Sequence, residues 1–308
     1  MIKKLGYGTW GLGGKDYGPI NEQDAYKLLS FAYDKGIKFF DTAPLYGLGQ
    51  SERALGKLIQ RIDRKKIIIC SKCGMKPHKG FKMNQDFSEN YVANDINKSL
   101  ERLKTSYLDV VLLHSPEINQ DISGALNLLI EYKKKKIIKN FGISVRSPND
   151  IIKYKDKNIT YFEINFNLLD QRLLNIDKKL LNNKKIIART PLNFGFLASK
   201  DYIKSDFTNF DHRKNWSNEQ IENWNLYKKV FWFFSNKYKY KEFSHFALKY
   251  VISNKIIDFV IPGMLSKEEI HSNVNVALGG KISKDDLIKI NKLYNSIENY
   301  IFIQKRKR

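Results

Sequence analysis

Eight short apolar runs alternate with amphipathic stretches along this chain of 308 residues. Two of the runs, at Ile67–Ile69 and Val110–Leu113, are apolar on both faces, as parallel strands covered by helices are. Eight strands in strict alternation with helices predict an α/β protein, a (β/α)8 barrel of the TIM type. No linker rich in proline or serine divides the chain, so we predict a single domain over residues 1–308.

The apolar runs and the caps give approximate bounds for these elements. Strands are predicted at Leu5–Thr9, Lys38–Asp41, Ile67–Ser71, Leu108–Leu113, Ile138–Ile143, Tyr161–Phe166, Lys185–Ala188 and Ile256–Ile261. Helices are predicted at Asn21–Lys35, Ser51–Gln60, Glu89–Leu103, Ile122–Lys136, Pro148–Lys155, Asp170–Leu181, Asn218–Tyr238, Ser266–Ala277 and Lys284–Asn299. The long polar and aromatic segment Pro191–Trp216 is predicted to be a functional loop, because connections of that length usually serve as lids or binding loops.

The chain is strongly basic, with 54 Lys and Arg residues against 32 Asp and Glu residues and a net charge of +22. Most of the lysines are scattered, and only Lys133–Lys136 and Lys305–Arg308 form clusters. The first cluster ends a predicted helix, where cations complement the helix dipole. The second lies in a basic tail, residues 300–308, which we expect to be disordered. We therefore predict no nucleic-acid partner, although the charge is expected to attract anionic substrates.

Nothing in the sequence predicts a membrane or secreted protein. No apolar run approaches the ~18 residues of a membrane helix, and the segment Met1–Leu5 lacks the apolar region of a secretory signal. Two cysteines cannot build a disulfide framework. We expect a cytoplasmic protein that is a monomer or a weak homo-oligomer.

The segment Gly6–Gly11 matches the dinucleotide fingerprint G-x-G-x-x-G, but its context is wrong for a Rossmann fold. The glycine-rich stretch Leu12–Pro19 follows it and cannot begin a helix. The next acidic strand end, Asp41, lies well beyond the ~20 residues that the fingerprint requires. We interpret the glycines as a tight loop after the first barrel strand.

Four ionisable side chains fall at the carboxyl ends of neighbouring predicted strands. Asp41, Lys72 and His114 end the second, third and fourth strands, and Tyr46 lies on the loop after Asp41. Each residue alone could have an ordinary structural role, such as capping a helix or reaching toward water. Catalytic groups of a barrel lie at this end of the strands, so the four together predict an active site.

The four residue types suit proton transfer to an oxygen. A phenol has a pKa near ~10, and a neighbouring ammonium is expected to lower it. The Asp holds the ammonium in place, and a neutral His can orient a carbonyl group by a hydrogen bond. Reducing that carbonyl needs a hydride, which implies a nicotinamide cofactor. No metal-ligand cluster is visible in the sequence, and we predict no metal.

From about Leu5 to Asn273 the sequence resembles the aldo-keto reductases. The resemblance is carried by Gly8–Gly11, Asp41–Gly56, Lys72, Ser99–His114, Phe141–Ser144, Ala188–Leu192, Val260–Met264 and Asn273. It implies a (β/α)8 barrel that reduces aldehydes and ketones with NADPH, without metal or flavin.

The resemblance also implies a role for each matching residue. It makes Tyr46 the general acid, tuned by Lys72 and Asp41, and it makes His114 the group that orients the substrate. The nicotinamide end of the cofactor would contact Gly8, Thr9, Trp10, Asp41, Ser144 and Glu163. Arg189, Thr190, Pro191 and Leu192 would cover the nicotinamide and the pyrophosphate. The adenosine end would be held by Ile261, Gly263, Ser266, Lys267, Glu269 and Asn273.

The chain departs from the family pattern at three places. Val145 stands where the family often has Asn, and Glu163 stands where it often has Gln. An anionic Glu163 changes the field near an oxidised nicotinamide. The positions expected to supply an Arg for the 2′-phosphate hold Leu265 and Glu269, and Glu269 could instead accept from a ribose hydroxyl. We expect NADP(H) as cofactor with a weakened preference over NAD(H).

Two further features have a simpler explanation beside a functional one. Cys70 and Cys73 form a C-x-x-C at a strand end with no helix directly after it, so we predict packing rather than redox or metal chemistry. His212 lies in the long loop and is a candidate contact to the cofactor or substrate. The aromatic run Val230–Phe234 is predicted to pack within a helix.

The leading hypothesis is an NAD(P)H-dependent oxidoreductase that interconverts a small carbonyl compound and its alcohol. One alternative is a non-catalytic nicotinamide-binding regulatory module. A second is a dehydrogenase of sugar biosynthesis, and a third is a barrel lyase or isomerase that uses Lys72 as a Schiff base.

Overall fold

The computed structural model describes residues 2–77, 84–154 and 158–302. Its main sheet has eight strands that pair in parallel in the order of the chain. These are β1 Gly6–Gly8, β2 Phe39–Asp41, β3 Ile68–Cys73, β4 Leu108–His114, β5 Ile138–Ser144, β6 Tyr161–Asn165, β7 Lys185–Arg189 and β8 Phe259–Val260. A parallel bridge between Leu5 and Val260 joins the first strand to the last. The predicted (β/α)8 barrel is confirmed.

Ten helices surround the sheet in the described part of the chain. They are α1 Glu22–Asp34, α2 Gln50–Arg61, α3 Glu89–Leu103, α4 Ser123–Lys134, α5 Asp150–Lys153, α6 Asn218–Lys228, α7 Trp232–Lys237, α8 Phe243–Ser253, α9 Lys267–Leu278 and α10 Lys284–Ile301. The caps act as predicted at α1, where the Asn21 side chain accepts a hydrogen bond from the Asp24 N–H. Lys133 and Lys134 end α4, as expected of cations at a helix C-terminus. None of the described helices has the length and apolar character needed to cross a membrane.

Three helix predictions were wrong in extent or kind. Residues 170–181 form two short 3-10 segments rather than one α-helix. Asp170 pairs with Arg172, and Asp177 accepts a hydrogen bond from the Lys179 N–H, so local side-chain bonds interrupt the helical pattern. The predicted helix Pro148–Lys155 is a single turn, α5, and Lys155 lies outside the described residues.

The long helix predicted at Asn218–Tyr238 is divided into α6, a 3-10 turn and α7. Consecutive aromatic side chains cannot all face the core. Phe231 and Phe234, three positions apart, are buried, whereas Phe233 is 71% exposed. Helix α8 was not predicted, because nearly all its residues are buried and it lacks a polar face to give the helical period.

A small apolar cluster fills the inside of the barrel. It consists of Phe39, Cys70, Val110, Leu112, Ile187 and Ile261. The ring of Phe39 stacks on that of Phe259 at a centroid distance of 4.1 Å. The larger core lies between the outer face of the sheet and the helices. The small apolar cluster fills the interior of the barrel. The inward-facing residues beyond it, at the carboxyl ends of the strands, are polar.

Cys70 and Cys73 point to opposite faces of β3. Cys70 belongs to the cluster inside the barrel, and Cys73 belongs to the core outside it, as odd spacing on a strand requires. Both are free and buried, and burial raises the pKa of each thiol well above its usual value. These observations support the predicted packing role.

The long connection after β7 is folded rather than extended. Aromatic rings hold it together, among them Phe196 against Trp224 at 4.7 Å and Trp216 against Trp224 at 4.8 Å between centroids. Its far end returns to the loop after β1, where the His212 N–H donates to the Asp16 carbonyl at 2.9 Å. The predicted loop therefore lies next to the start of the barrel.

We predict that Gly56→Ala destabilises the fold by about 1–3 kcal/mol, measured as the free energy of unfolding in urea. Gly56 is buried in α2, and a Cβ there would lie 2.3 Å from the Arg102 carbonyl oxygen at the end of α3. The matched control is Gly124→Ala in α4, where the nearest described atom is 3.7 Å from the new Cβ. The control should be neutral or stabilised by up to about 1 kcal/mol, and equal destabilisation of both variants would contradict the helix contact.

Candidate active site

The structure brings the four predicted catalytic residues together at one end of the barrel. Asp41 and His114 are the last residues of β2 and β4, and Lys72 is the penultimate residue of β3. Parallel pairing aligns Asp41 with Cys70 and Lys72 with Leu112, so the strand ends stand side by side. Tyr46 follows in the turn between β2 and α2.

The Lys72 ammonium is the centre of this group. It is buried, with its Nζ 2.6 and 2.7 Å from the two carboxylate oxygens of Asp41 and 3.3 Å from the Thr42 carbonyl oxygen. Nζ also lies 5.2 Å from the centre of the Tyr46 ring. The rings of Tyr46 and His114 meet edge to face at 6.3 Å. One small molecule can therefore contact Tyr46 and His114 at once.

Glu163 adds a second carboxylate to the same ammonium. It lies on β6 opposite Ser144 of β5, is buried, and places Oε2 3.2 Å from the Lys72 Nζ. The Ser144 hydroxyl donates to Glu163 Oε1 at 3.1 Å, and the Arg189 Nε lies 3.7 Å from the same oxygen. The sequence predicted Glu163 near the cofactor but not its contact with Lys72. The polar residues at alternate positions of β6, Glu163 and Asn165, were the signal that these side chains face inward.

Burial and these charges set the protonation of the group. Burial opposes the ammonium of Lys72, but Asp41 and Glu163 outweigh it and raise the pKa of Lys72 well above its usual value. Burial and the neighbouring Glu163 raise the pKa of Asp41. Burial acts on Glu163 in the same direction, but Lys72 and Arg189 outweigh it and lower the pKa of Glu163. Lys72 is therefore cationic and Glu163 anionic at neutral pH.

The pKa of Tyr46 differs from the sequence-based expectation. Desolvation raises the pKa of its phenol, and Lys72 offsets only part of that rise. The expected net lowering is wrong for this structure, because burial of the phenol outweighs the ammonium, which Asp41 and Glu163 also oppose. Tyr46 therefore keeps its proton in the resting site.

Gly8, the last residue of β1, and Thr9 after it form one wall of the site. Gly8 approaches the chain after β8 so closely that a Cβ would lie 2.8 Å from the Ile261 carbonyl oxygen. The Thr9 N–H donates to the Asp41 carbonyl at 2.9 Å, and the Ser51 hydroxyl donates to the Thr9 carbonyl at 2.8 Å. Backbone contacts therefore bring Gly8 and Thr9 to the end of β2.

Trp10 lies beside an aromatic cluster. Its indole N–H donates to an Asp16 oxygen at 2.7 Å. The His212 ring lies 4.6 Å from Trp10 and 4.7 Å from Tyr17, measured between centroids. Burial lowers the pKa of His212 to about 4, so its imidazole is neutral at pH 7. The structure thus places this candidate next to a predicted cofactor contact.

The predicted cofactor contacts Arg189 and Thr190 lie at the end of β7. The Arg189 Nη2 donates to the Val145 carbonyl at 2.8 Å. Thr190 has a φ of 50°, and its hydroxyl contacts Asn165 Oδ1 at 3.0 Å. The Asn167 side chain donates to the Thr190 carbonyl at 3.0 Å. Asn165 and Asn167 were missed by the sequence analysis, although their spacing from Glu163 placed them on the same face.

The buried Pro191 and the half-buried Leu192 continue from Thr190 toward the long loop. Ile261 is buried after β8, whereas Gly263 is exposed. The structure thus brings these residues to the rim that holds Arg189 and Gly8.

The remaining predicted contacts lie at the start of α9. Ser266 caps this helix by accepting from the Glu269 N–H at 3.1 Å, and Glu269 Oε2 accepts from the Leu265 N–H at 2.6 Å. The Lys267 ammonium lies 5.6 Å from the centre of the Phe31 ring. Asn273 is buried one turn further along. The carboxylate of Glu269 is therefore held at the helix N-terminus.

Ligand atoms of Asp41, Cys70 and Glu163 lie within 4.8 Å of one another, a spacing that could suit a metal ion. The Lys72 ammonium already contacts both carboxylates of this set. A metal would have to displace that buried cation, so the prediction of no metal stands as a prediction.

The polar atoms of this rim fit a nicotinamide dinucleotide. Buried atoms without a hydrogen-bond partner among the described residues include Thr9 Oγ1, Glu163 Oε2, Arg189 Nε and Asn193 Nδ2. Leaving such atoms unpaired costs free energy, so they are suited to a ligand that carries matching groups. A carboxamide offers both donors and acceptors, and a pyrophosphate offers acceptors to Arg189 and Asn193.

Both the sequence and the fold are similar to those of known proteins. The sequence model described as "Aldo/keto reductase family" matches residues 4–295. "Probable aldo-keto reductase 1" of Glycine max is 29% identical over 300 residues, which cover 94% of this chain and 84% of that protein. L-galactose dehydrogenase of Arabidopsis thaliana is 29% identical over 288 residues, which cover 89% and 83%. The holo form of an aldo-keto reductase from Bacillus halodurans has the same fold, with a TM-score of 0.79 at 23% identity over 99% of this chain and 95% of that one.

We predict that Lys72→Met destabilises the fold by about 3–5 kcal/mol at neutral pH, because it leaves buried carboxylates without their cation. The free energy of unfolding in urea measures the change. The loss should grow as the pH rises. In wild type burial raises the pKa of Asp41 and Lys72 lowers it, so removing Lys72 raises this pKa further above its unfolded value, and the folded variant holds a proton that the unfolded chain releases.

The control is Lys27→Met, which removes an exposed ion pair with Asp24 and should cost less than about 1 kcal/mol. A loss at Lys72 no greater than at Lys27, or one that shrinks with rising pH, would contradict this electrostatic interpretation.

Proposed function

Given that this chain belongs to the aldo/keto reductase family, and is therefore an NAD(P)H-dependent oxidoreductase that interconverts carbonyl compounds and alcohols, we propose that Tyr46 is its general acid. The observation that carries this proposal is the buried Lys72 ammonium, 2.6 Å from Asp41 and 5.2 Å from the Tyr46 ring centre. A protonated phenol beside a fixed cation suits proton transfer to an oxygen on which negative charge develops.

Tyr46, Lys72 and His114 have different roles in the proposed proton transfer. When bound, the reduced nicotinamide supplies a hydride to the carbonyl carbon. Tyr46 donates its proton to the carbonyl oxygen, and the bond electrons remain on the phenolate. Lys72 stabilises that phenolate, while His114 orients the carbonyl by a hydrogen bond. In the alcohol-to-carbonyl direction the phenolate accepts the hydroxyl proton. The phenol of Tyr46 carries its proton at neutral pH, as carbonyl reduction requires.

The cofactor is proposed to lie along the rim from β1 to α9. Gly8, Thr9, Trp10, Ser144 and Glu163 would hold its nicotinamide end. A second set would hold the pyrophosphate and adenosine: Arg189, Thr190, Pro191, Leu192, Ile261, Gly263, Ser266, Lys267, Glu269 and Asn273. The cationic Lys267 and the N-terminus of α9 favour a phosphate there, which supports NADP(H). Leu265 and Glu269 bring no guanidinium, so NAD(H) is proposed to bind as well.

The substrate is proposed to enter over Trp10 and Tyr46, past the loop that carries His212. The Trp10 indole and the neutral His212 ring suit a small molecule that presents both apolar and hydroxyl groups. A second candidate function is therefore a sugar dehydrogenase, a class to which the similar Arabidopsis thaliana protein belongs by name. A purely regulatory nicotinamide-binding role is less well supported, because Asp41, Tyr46 and Lys72 lie together. A cytoplasmic location and a monomer or weak homo-oligomer complete the proposal.

The test of the acid is Tyr46→Phe, which removes only the hydroxyl group. We expect kcat for carbonyl reduction to fall by at least about 10²–10⁴-fold, while the Kd of the reduced cofactor stays near the wild-type value. Stopped-flow absorbance of the reduced nicotinamide measures the first quantity, and quenching of tryptophan fluorescence measures the second.

The matched control is Tyr300→Phe, because Tyr300 is 63% exposed on α10. It should keep the wild-type kcat. Wild-type turnover in Tyr46→Phe would remove Tyr46 from the role of acid.

The cofactor proposal predicts that Leu265→Arg strengthens NADPH binding on the order of tenfold and leaves NADH binding unchanged. A guanidinium there would pair with the 2′-phosphate, a group that NADH lacks. Fluorescence titration of both cofactors measures the effect. Leu278→Arg, at the other end of α9 and 59% exposed, is the control for added positive charge. An equal gain for both cofactors, or for both variants, would place the adenosine end elsewhere.

A further inference from the structure

Glu163 brings a second buried carboxyl group to the Lys72 ammonium. Two buried carboxylates contact the same Nζ, Asp41 at 2.6 Å and Glu163 at 3.2 Å. The second cation, Arg189, is further from Glu163, at 3.7 Å, and also donates to the Val145 carbonyl. The pKa of Asp41 is raised by burial and by Glu163, and that of Glu163 is lowered by Lys72 and Arg189 despite burial. The negative charge of the pair therefore lies on Glu163, where it would attract a positive charge that entered the site.

The proposed reaction brings such a charge. The oxidised nicotinamide ring is cationic, and the reduced ring is neutral. A hydride donor must lie within about 3–3.5 Å of the carbon whose oxygen contacts Tyr46. Tyr46 and Glu163 both lie next to the Lys72 ammonium, so the ring must sit close to the carboxylate pair. The charge of Glu163 therefore acts on one redox form of the cofactor more than on the other.

We infer that Glu163 is a positioning residue that makes this site select the oxidised cofactor over the reduced one. This inference rests on the proposed function. Ser144 fixes the carboxylate by donating to Oε1, and Oε2 has no hydrogen-bond donor among the described residues apart from its ion pair with Lys72. Its remaining acceptor capacity is available to the cofactor. Tighter binding of the oxidised form shifts the equilibrium on the enzyme toward oxidised cofactor and alcohol, the products of carbonyl reduction.

The test compares two dissociation constants in each protein. Isothermal titration calorimetry gives the Kd of the oxidised and of the reduced cofactor for wild type, E163Q and E163D, with NADP(H) and again with NAD(H). We expect the ratio of the oxidised to the reduced Kd to rise on the order of tenfold in E163Q, where the charge is lost and the shape is kept. E163D keeps the charge and should stay closer to wild type than E163Q does.

The control variant is E131Q, which neutralises an exposed carboxylate on α4 that pairs with Lys135. It should leave the ratio unchanged. Circular dichroism and thermal unfolding establish that each variant is folded, and E163A replaces E163Q if the amide variant does not fold.

The outcomes separate the inference from the proposed function. A ratio that is the same in wild type and in the neutral variants would overturn the role of Glu163 while leaving cofactor binding intact. A rise of the same size in E131Q would also overturn it, because the effect would then come from net charge. Failure of wild type to bind either form of either cofactor would overturn the proposed function itself.

Discussion

The ion pair between Lys72 and Asp41 is the interaction on which the rest of the site depends. A buried ammonium is stable only when carboxylates surround it, and these two residues come from adjacent strands. Parallel pairing of β2 and β3 fixes the strand ends, so the distance of 2.6 Å follows from the fold. Tyr46 and His114 are then placed around a cation that cannot move away. Glu163, reaching the same cation from the far side of the barrel, joins β6 to this arrangement.

The barrel explains why polar chemistry can exist at this end. Apolar side chains fill the interior below, and the loops after the strands cover the site from above. In the loop after β7, Phe196 packs against Trp224 of α6, and a backbone hydrogen bond ties His212 to Asp16. Charges in such a dry site interact more strongly than they would in water. Burial lowers the pKa of His212 and raises that of Tyr46.

Much of the fold could be predicted from the sequence, because parallel strands and amphipathic helices leave clear periodic patterns. All eight strands were found, and α3 was predicted with its observed bounds, Glu89–Leu103. The pattern failed where the polar face was missing, as in the buried α8, and where local bonds of Asp170 and Asp177 replaced a helix. For the site, strand-end positions predicted which residues meet, and the structure brings all four together. The pKa direction of Tyr46 could not be predicted, because it depends first on how completely the fold buries the phenol and then on the two carboxyl groups that oppose the ammonium.

Because Cys70 and Cys73 face opposite sides of β3, the reactivity of their thiols can report unfolding of the sheet. One thiol is enclosed by the inside of the barrel and the other by the layer under the helices, and neither is accessible in the folded state. A thiol reagent can modify both only when the strand leaves both layers. The rate of double labelling would therefore record separation of the sheet from both of its cores, while single labelling would record loss of one layer alone.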